Sequence, residues 1–247
     1  MKVGVFDSGI GGLTVVKSLV EHQLFEEIIY FGDTARVPYG SKDKNTIIRY
    51  AIEAVEFFKN FELDMIIVAC NTVSAYALEE MRESASCPVI GVVEAGILAT
   101  SNALKEKDAN VLIIGTNATI NSKAYELGLN RLGFNNLQAK ATPLFVSLVE
   151  EEIFKGKILD AAFEHYFSKM QHPKAVILGC THFPLLTKSL SAYFGANTLL
   201  IHSGDAIVEY LEKEFTFTHK HAHPKLKFFA SENPEALREI AQKWLYA

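Results

Sequence analysis

Short runs of β-branched and other apolar residues recur along this 247-residue chain, and stretches with helical periodicity separate them. Strands buried on both faces, as in a parallel sheet, need such uninterrupted apolar runs, and helices must then cover the sheet. The predicted strands are 2–6, 27–31, 65–69, 89–93, 110–115 and 175–179, and the predicted helices include 13–22, 45–61 and 73–84. This alternation predicts an α/β chain with doubly wound parallel sheets.

One arrangement of residues occurs twice in the chain. VGVFDSGIGG starts at Val3 and VLIIGTNATI starts at Val111, 108 residues later, while Cys70 and Cys180 are 110 residues apart. In each case an apolar strand leads into a loop of small polar residues. The simplest interpretation is two similar α/β halves that present strand ends to a shared central cleft, although a βα rhythm can also repeat by chance.

Net charge and apolar content limit the classes of function. The chain has 24 Lys and Arg against 29 Asp and Glu and no basic block, so we expect no nucleic-acid surface. No stretch reaches the roughly 18 apolar residues that cross a membrane, and the N-terminus lacks the long apolar stretch of a signal peptide. We therefore expect a cytoplasmic protein with no membrane partner.

The number and spacing of the cysteines argue against disulfides and metal sites. Three cysteines, Cys70, Cys87 and Cys180, without a secretory signal are typical of reduced thiols, and no CxxC motif occurs. The alternating histidines of THKHAHPK (218–225) are predicted to lie in a polar linker rather than in a metal site. DSGIGG (7–12) lacks both the P-loop lysine and the GxGxxG spacing of nucleotide loops.

Two cysteines stand where ligands of α/β sheets bind. Cys70 follows the predicted strand 65–69 and Cys180 follows 175–179, each just ahead of a helix. Backbone N–H groups and the positive end of a helix lower the pKa of a cysteine in such a place. Two thiols from two halves can approach one ligand from opposite sides. One thiolate would then remove a proton from a tetrahedral carbon, and the other thiol would donate one to the opposite face.

Each thiol needs a partner that moves protons. Asp7 ends the first strand and is expected near Cys70, and His182 lies two residues after Cys180. A carboxylate from the run of glutamates at 150–152 could also reach the second thiol. Side chains and backbone N–H groups after the two cysteines offer hydrogen bonds to a carboxylate. These residues are Asn71, Thr72, Thr181 and His182.

Other interpretations stay open at this point. A free cysteine at the end of an apolar strand is often a small core residue, and Cys87 is interpreted in this way. Cys180 and His182 could form the nucleophile and base of a hydrolase, which leaves Cys70 without a role. A two-domain binding protein for an acidic amino acid, whose cysteines only pack, is the non-enzymatic alternative. Arg36 could bind an acidic substrate, but we expect it to pair with Asp33.

Seven segments resemble the glutamate racemases, a family of cofactor-independent enzymes that make D-glutamate for peptidoglycan. They are FDSGIGGLTV (6–15), GDTARVPYG (32–40), ACNTVSA (69–75), GVVE (91–94), GTNATI (115–120), LGCTHFPL (178–185) and HSGDA (202–206). The chain differs from the family pattern at Ala95, where a proline tends to follow the glutamate. Aspartate racemases share the paired cysteines, but the first two segments are similar to the glutamate enzymes.

The resemblance implies specific roles for specific residues. Cys70 and Cys180 would be the acid/base thiols, Asp7 and His182 their supporting groups, and Glu150 a carboxylate beside the histidine. The implied substrate-binding residues are Asp7, Ser8, Tyr39, Gly40, Asn71, Thr72, Thr116, Thr119, Thr181 and His182.

The resemblance also implies an architecture and partners. A first α/β domain would comprise residues 1–95 and 206–247 and carry Cys70, and a second would comprise residues 96–205 and carry Cys180. The substrate would be glutamate, the assembly a homodimer, and neither a cofactor nor a metal would be needed.

Overall fold

The computed structural model describes residues 1–245 and contains nine strands within that range. The strands are β1 (Lys2–Asp7), β2 (Glu27–Gly32), β3 (Met65–Val68), β4 (Val89–Gly91), β5 (Val111–Gly115), β6 (Leu137–Ala141), β7 (Ala175–Gly179), β8 (Leu199–Ile201) and β9 (Lys225–Ala230). They form two separate sheets, and every pairing between neighbouring strands is parallel.

Helices connect the strands, as parallel pairing requires. They are α1 (Leu13–Glu21), α2 (Lys44–Phe58), α3 (Asn71–Tyr76), α4 (Leu78–Ser84), α5 (Val92–Ala103), α6 (Asn117–Ser122), α7 (Ala124–Arg131), α8 (Leu144–Glu150), α9 (Lys157–Phe167), α10 (Thr187–Phe194), α11 (Ser203–Glu214) and α12 (Pro234–Leu245). Short 3-10 helices occur at Thr34–Arg36, Tyr39–Ser41 and Phe183–Leu186.

The two sheets have the same strand order. The first sheet runs β4-β3-β1-β2-β9, and the second runs β8-β7-β5-β6. Strands β1 to β4 of the first sheet thus correspond in order to β5 to β8 of the second. Within residues 1–245, β9 at the edge of the first sheet is the only strand without a counterpart. The predicted fold class, two similar parallel α/β sheets, is confirmed.

The C-terminal segment returns to the first sheet. Strand β9 pairs with β2, and α12 packs against α1 and β9. The predicted domain boundaries at 95/96 and 205/206 each cut through a helix, α5 or α11, and these two helices pack against each other. The boundaries therefore stay a prediction.

One hydrophobic core joins the halves. Alternate strand residues point to opposite faces, and Val5 of β1 and Ile113 of β5 belong to one continuous cluster between the sheets. The other faces of the two sheets, which include Phe6 and Ile114, pack in two separate outer clusters. Because a shared core is closely packed, it holds the strand ends of the two halves in a defined relation.

Local structure departs from the sequence predictions in three places. The predicted helix 73–84 is two helices that meet at Ala77, and the first begins immediately after Cys70. The predicted strand 89–93 ends at Gly91, where α5 begins. Three strands were not predicted, namely β6, β8 and β9. They lie at sheet edges and are only half-buried, so they lack long apolar runs.

Candidate active site

A cleft lies between the two halves at the carboxyl ends of β1, β3, β5 and β7, where ligands of α/β sheets bind. It contains about 420 Å³ of space between atoms, its open mouth included. Cys70 caps the start of α3 and Cys180 directly follows β7, so equivalent strand ends bring the two thiols to one cleft. Both residues are buried, with 5% and 6% of their surface exposed.

Most of the predicted site residues line this cleft together. They are Ser8, Tyr39, Gly40, Cys70, Asn71, Thr72, Thr116, Glu150, Cys180, Thr181 and His182. Two predicted residues, Asp7 and Thr119, lie behind the lining and contact it through hydrogen bonds. Four further lining residues, Val37, Pro38, Val146 and Gly179, were not among the predicted site residues.

Cys70 is held as a neutral thiol. Its Sγ lies 3.4 Å from Ser8 Oγ. Burial and the negative charge of Asp7 raise the pKa of Cys70 to about 12, although Ser8 and the backbone N–H of Val73 act in the opposite direction. The sequence predicted a lowered pKa at this helix start. That prediction was wrong for Cys70, because desolvation of the thiolate exceeds the effect of the helix start.

The surroundings of Cys180 are different, because a cation faces it. Its Sγ lies 3.7 Å from Nδ1 of His182. Nε2 of the same ring lies 3.3 Å from Oε1 of Glu150, close enough for an ion pair but not aligned for a hydrogen bond. Burial disfavours the charged imidazole, yet Cys180, Glu150 and Asp7 together outweigh it and raise the pKa of His182 to about 10. At neutral pH His182 therefore carries a proton.

Asp7 lies between the two thiol sites. Its carboxylate is fully buried, Oδ2 accepts a hydrogen bond of 2.9 Å from the backbone N–H of Gly9, and Oδ1 accepts one of 3.2 Å from the Thr181 hydroxyl. Burial raises the pKa of Asp7, while the charge of His182 lowers it. Asp7 thus affects both Cys70 and His182, and not only the nearer cysteine that the sequence suggested.

Three hydroxyls join the halves on another side of the cleft. Thr72 Oγ1 lies 2.9 Å from Thr116 Oγ1 and 3.2 Å from Thr119 Oγ1, and the last two oxygens are 3.0 Å apart. Each hydroxyl can donate one hydrogen bond and accept others. The group can therefore turn its donors toward an anion that enters the cleft.

The loop after β2 closes one end of the cleft. Asp33 is buried and accepts hydrogen bonds from the Tyr39 hydroxyl, from Arg36 Nε at 2.6 Å and from Ser231 Oγ at 2.7 Å. The predicted pairing of Arg36 with Asp33 is confirmed. A Cβ at Gly40 would lie 2.5 Å from Thr116 Cβ, so only glycine allows the loop to approach this closely.

Supporting residues behind the lining were missed by sequence reasoning. Thr14 donates a hydrogen bond of 2.8 Å to the backbone oxygen of Thr181 in the other half. Tyr125 and Ser203 bind the amide of Asn71. Thr14 and Ser203 fall inside segments that carry the family resemblance, FDSGIGGLTV and HSGDA, whereas Tyr125 has no such signal.

The structure of residues 1–245 contains no group of three or more His, Cys, Asp and Glu side chains arranged to hold a metal ion. The histidines of 218–225 lie in the connection between α11 and β9. In the same part of the chain, no helix has the length and apolar character needed to cross a membrane. Cys87 is half-buried and packs against the outer cluster of the first half, as expected for a structural residue.

Known proteins resemble this chain over nearly its whole length. It is 61% identical over 245 residues to the glutamate racemase of a Nitratiruptor species, a match that covers 99% of this chain and 96% of that protein. The crystal structure of glutamate racemase from Campylobacter jejuni superposes with a TM-score of 0.96 at 55% identity, covering 100% of this chain and 98% of that one.

A more distant structure is that of a complex with a ligand. Glutamate racemase from Francisella tularensis in complex with D-glutamate superposes with a TM-score of 0.85 at 36% identity, covering 100% of this chain and 94% of that one. The family model for Asp/Glu/Hydantoin racemase matches residues 11–211. From these matches, this chain belongs to the Asp/Glu/Hydantoin racemase family.

Proposed function

We propose that this chain interconverts L-glutamate and D-glutamate by two-base proton transfer between Cys70 and Cys180. The observation that carries the proposal is that two thiols from equivalent strand ends of two similar halves line one small cleft. The similarity to known glutamate racemases supports glutamate as the substrate, and so does the D-glutamate complex of the Francisella tularensis enzyme.

The first step begins at the thiol that faces a cation. The protonated His182 lies 3.7 Å from Cys180 Sγ, where its positive charge can stabilise negative charge that develops on that sulfur, while Cys70 keeps its proton. Cys180 takes the α-hydrogen as a proton, and the electron pair stays on the α-carbon and spreads into the adjacent carboxylate. Cys70 then donates its proton to the opposite face of that carbon. The product leaves with inverted configuration.

The reverse reaction uses the same groups in exchanged roles. After one turnover Cys70 is the thiolate and Cys180 is the thiol, and this state is ready for the other enantiomer. The positive charge of His182 stabilises negative charge at the site, whereas the negative charge of Asp7 favours the protonated form of Cys70 and returns the site to its starting state.

Neutral hydrogen-bond donors would hold the substrate carboxylates. The hydroxyls of Ser8, Thr72, Thr116 and Thr181 line the cleft, and so does the amide of Asn71. Each of these groups can donate a hydrogen bond to a carboxylate oxygen. The wider proposal is a cytoplasmic homodimer that supplies D-glutamate for peptidoglycan, with no cofactor, and this part rests on the family.

The decisive experiment is incubation of each glutamate enantiomer with the protein in deuterated water. Chirality and α-deuterium are followed together, with aspartate as a comparison substrate. We expect racemisation with deuterium in the product, loss of racemisation in Cys70→Ala and in Cys180→Ala, and unchanged activity in the control Cys87→Ala. Full activity in either of the first two variants would rule out the two-base assignment.

The same samples separate the other candidate functions. A hydrolase with Cys180 as the nucleophile would form a covalent acyl adduct on that sulfur, detectable by mass spectrometry, and would not need Cys70. A binding protein would hold glutamate without any exchange at the α-carbon. Either result would overturn the proposed function.

A further inference from the structure

One buried tyrosine touches the chain neighbours of both cysteines. The hydroxyl of Tyr125, in α7, donates a hydrogen bond of 2.6 Å to Oδ1 of Asn71, the residue after Cys70. The ring packs on Gly179, the residue before Cys180, where a Cβ would lie 3.3 Å from Cε2 of the ring. Tyr125 is 2% exposed and does not line the cleft, so it does not meet the substrate directly.

A second hydrogen bond fixes which way the Asn71 amide points. Ser203 Oγ donates to the backbone oxygen of Leu178 at 3.3 Å and accepts from Asn71 Nδ2 at 3.2 Å. A carbonyl oxygen can only accept, so in this arrangement the Ser203 hydroxyl donates to Leu178 and accepts a hydrogen bond from the amide nitrogen. The amide oxygen then faces Tyr125, whose hydroxyl must donate.

The ring of Tyr125 also packs closely against helix α5. A Cβ at Gly96 of α5 would lie 3.1 Å from Cε1 and 3.2 Å from the hydroxyl oxygen of Tyr125. Helix α5 is therefore in near contact with one edge of the ring and with its hydroxyl. Tyr125 is confined between α5, the start of α3 and the end of β7.

We propose that Tyr125 is a positioning residue that fixes the separation of the two thiols, through its hydrogen bond to Asn71 and its packing on Gly179. This inference rests on the proposed function, because it assigns the residue a role in proton transfer between Cys70 and Cys180. Two thiols on opposite faces of one carbon must each stand within proton-transfer distance, so a displacement of either one slows inversion. The Tyr125 side chain lies between Asn71 and Gly179, so it can control the distance between the two thiols without contacting the substrate.

The test uses Tyr125→Phe, which removes the hydroxyl and keeps the ring. Racemisation is measured with both enantiomers in deuterated water, and deuterium is measured in the recovered starting enantiomer as well as in the product. We expect kcat/KM to fall roughly 10- to 100-fold, equally in both directions, because the equilibrium constant of a racemisation is 1. We also expect a several-fold rise in the ratio of two rates, exchange of the α-hydrogen with retention over exchange with inversion. A misplaced second thiol protonates the carbanion less often, so the first thiol returns a proton to the original face more often.

That ratio distinguishes a loss of thiol positioning from a loss of protein stability. A variant that is only less stable has fewer active molecules, which lowers both processes together and leaves the ratio unchanged. An unchanged ratio in Tyr125→Phe would therefore overturn the inference, whatever the rate. The matched control Tyr193→Phe removes a hydroxyl that faces Glu164 on the outside of the second half, and it should leave both rate and ratio unchanged.

A second variant keeps the test decisive if Tyr125→Phe does not fold. Gly96→Ala retains the hydroxyl but pushes the ring by a few tenths of an ångström through the added Cβ. We expect a smaller change of the ratio in the same direction, and no change would contradict the inference. A wild-type chain without any α-exchange would overturn the proposed function as well, whereas an active wild type with unaffected variants would overturn only the role of Tyr125.

Discussion

The hydroxyl of Thr181 donates a hydrogen bond to Oδ1 of Asp7 across the boundary between the two halves, with the oxygens 3.2 Å apart. Asp7 ends β1 in one sheet, and Thr181 follows Cys180 just after the end of β7 in the other. This bond places a buried carboxylate between the two thiol sites. Its charge raises the pKa of Cys70 and contributes to the raised pKa of His182.

Asp7→Asn should make the protein more stable and less active. Burial raises the pKa of Asp7, so the folded chain binds this proton more tightly than the unfolded chain does, and stability falls as the pH rises through the titration of the group. A neutral amide removes that loss. We expect a higher melting temperature than wild type at pH 7, a smaller difference at pH 4, and racemisation roughly 100-fold slower.

Thermal melts at the two pH values and racemisation assays test this prediction together. Asp43→Asn is a suitable control, because Asp43 is an exposed helix cap that lies outside the cleft. A melting temperature that is lower at pH 7 in Asp7→Asn would show that the hydrogen bonds from Gly9 and Thr181 need a charged acceptor, and it would contradict the prediction.

The pH dependence of activity should report the proton on His182. Its pKa is raised to about 10 by Cys180, Glu150 and Asp7 in spite of burial. A raised pKa means that the imidazolium and its contribution to the folded state are fully present at pH 6 and are lost as the pH rises through about 10. We expect kcat/KM to fall over the same range, because the cation beside Cys180 disappears.

Glu150→Gln should shift the alkaline loss of kcat/KM to lower pH. Replacing the carboxylate removes one of the negative neighbours that hold the proton on His182, so the imidazole loses its proton earlier. The control is Glu152→Gln, because Glu152 is an exposed residue that pairs with Lys243. The test is to measure kcat/KM from pH 6 to 11 for both variants and for wild type. If kcat/KM of Glu150→Gln falls at the same pH as that of wild type, this role of Glu150 is refuted.

Gly11→Ala should abolish activity through sterics alone. A Cβ at this position would lie 2.3 Å from Thr181 Oγ1 and 2.6 Å from His182 Nδ1, so these side chains would have to leave their places beside Asp7 and Cys180. We expect at least a 100-fold loss of kcat/KM, since misplacement by about 1 Å can cost that much.

Gly195→Ala should instead lower stability without affecting activity. Gly195 has φ of +91°, and a Cβ there would meet no atom within 4 Å. The substitution should cost about 1 kcal/mol of stability, because an L-residue with a side chain is strained at this φ, and it should leave kcat/KM unchanged. Melting curves and racemisation rates of both variants test the contrast, and wild-type activity in Gly11→Ala would exclude close packing of this glycine against the site.

Much of the fold could be read from local patterns. The runs that form β1, β3, β5 and β7 are apolar because those strands are buried on both faces, and a continuous apolar run records that burial directly. The edge strands β6, β8 and β9 were missed because half-buried strands leave no such run. The repeat that relates Cys70 to Cys180 could be recognised in the sequence because both halves place a cysteine at the equivalent strand end.

Sequence alone determined the parallel α/β class, the two similar halves and the convergence of Cys70 and Cys180 on one cleft, because burial and strand-end position depend on residues close together in the chain. Only the tertiary structure decided that Asp7 and burial keep Cys70 protonated, and that Tyr125 stands between the neighbours of both cysteines. A pKa and a packing distance depend on charges and atoms within a few ångströms in space. Those atoms come from residues such as Tyr125 and Asn71, 54 positions apart in the chain.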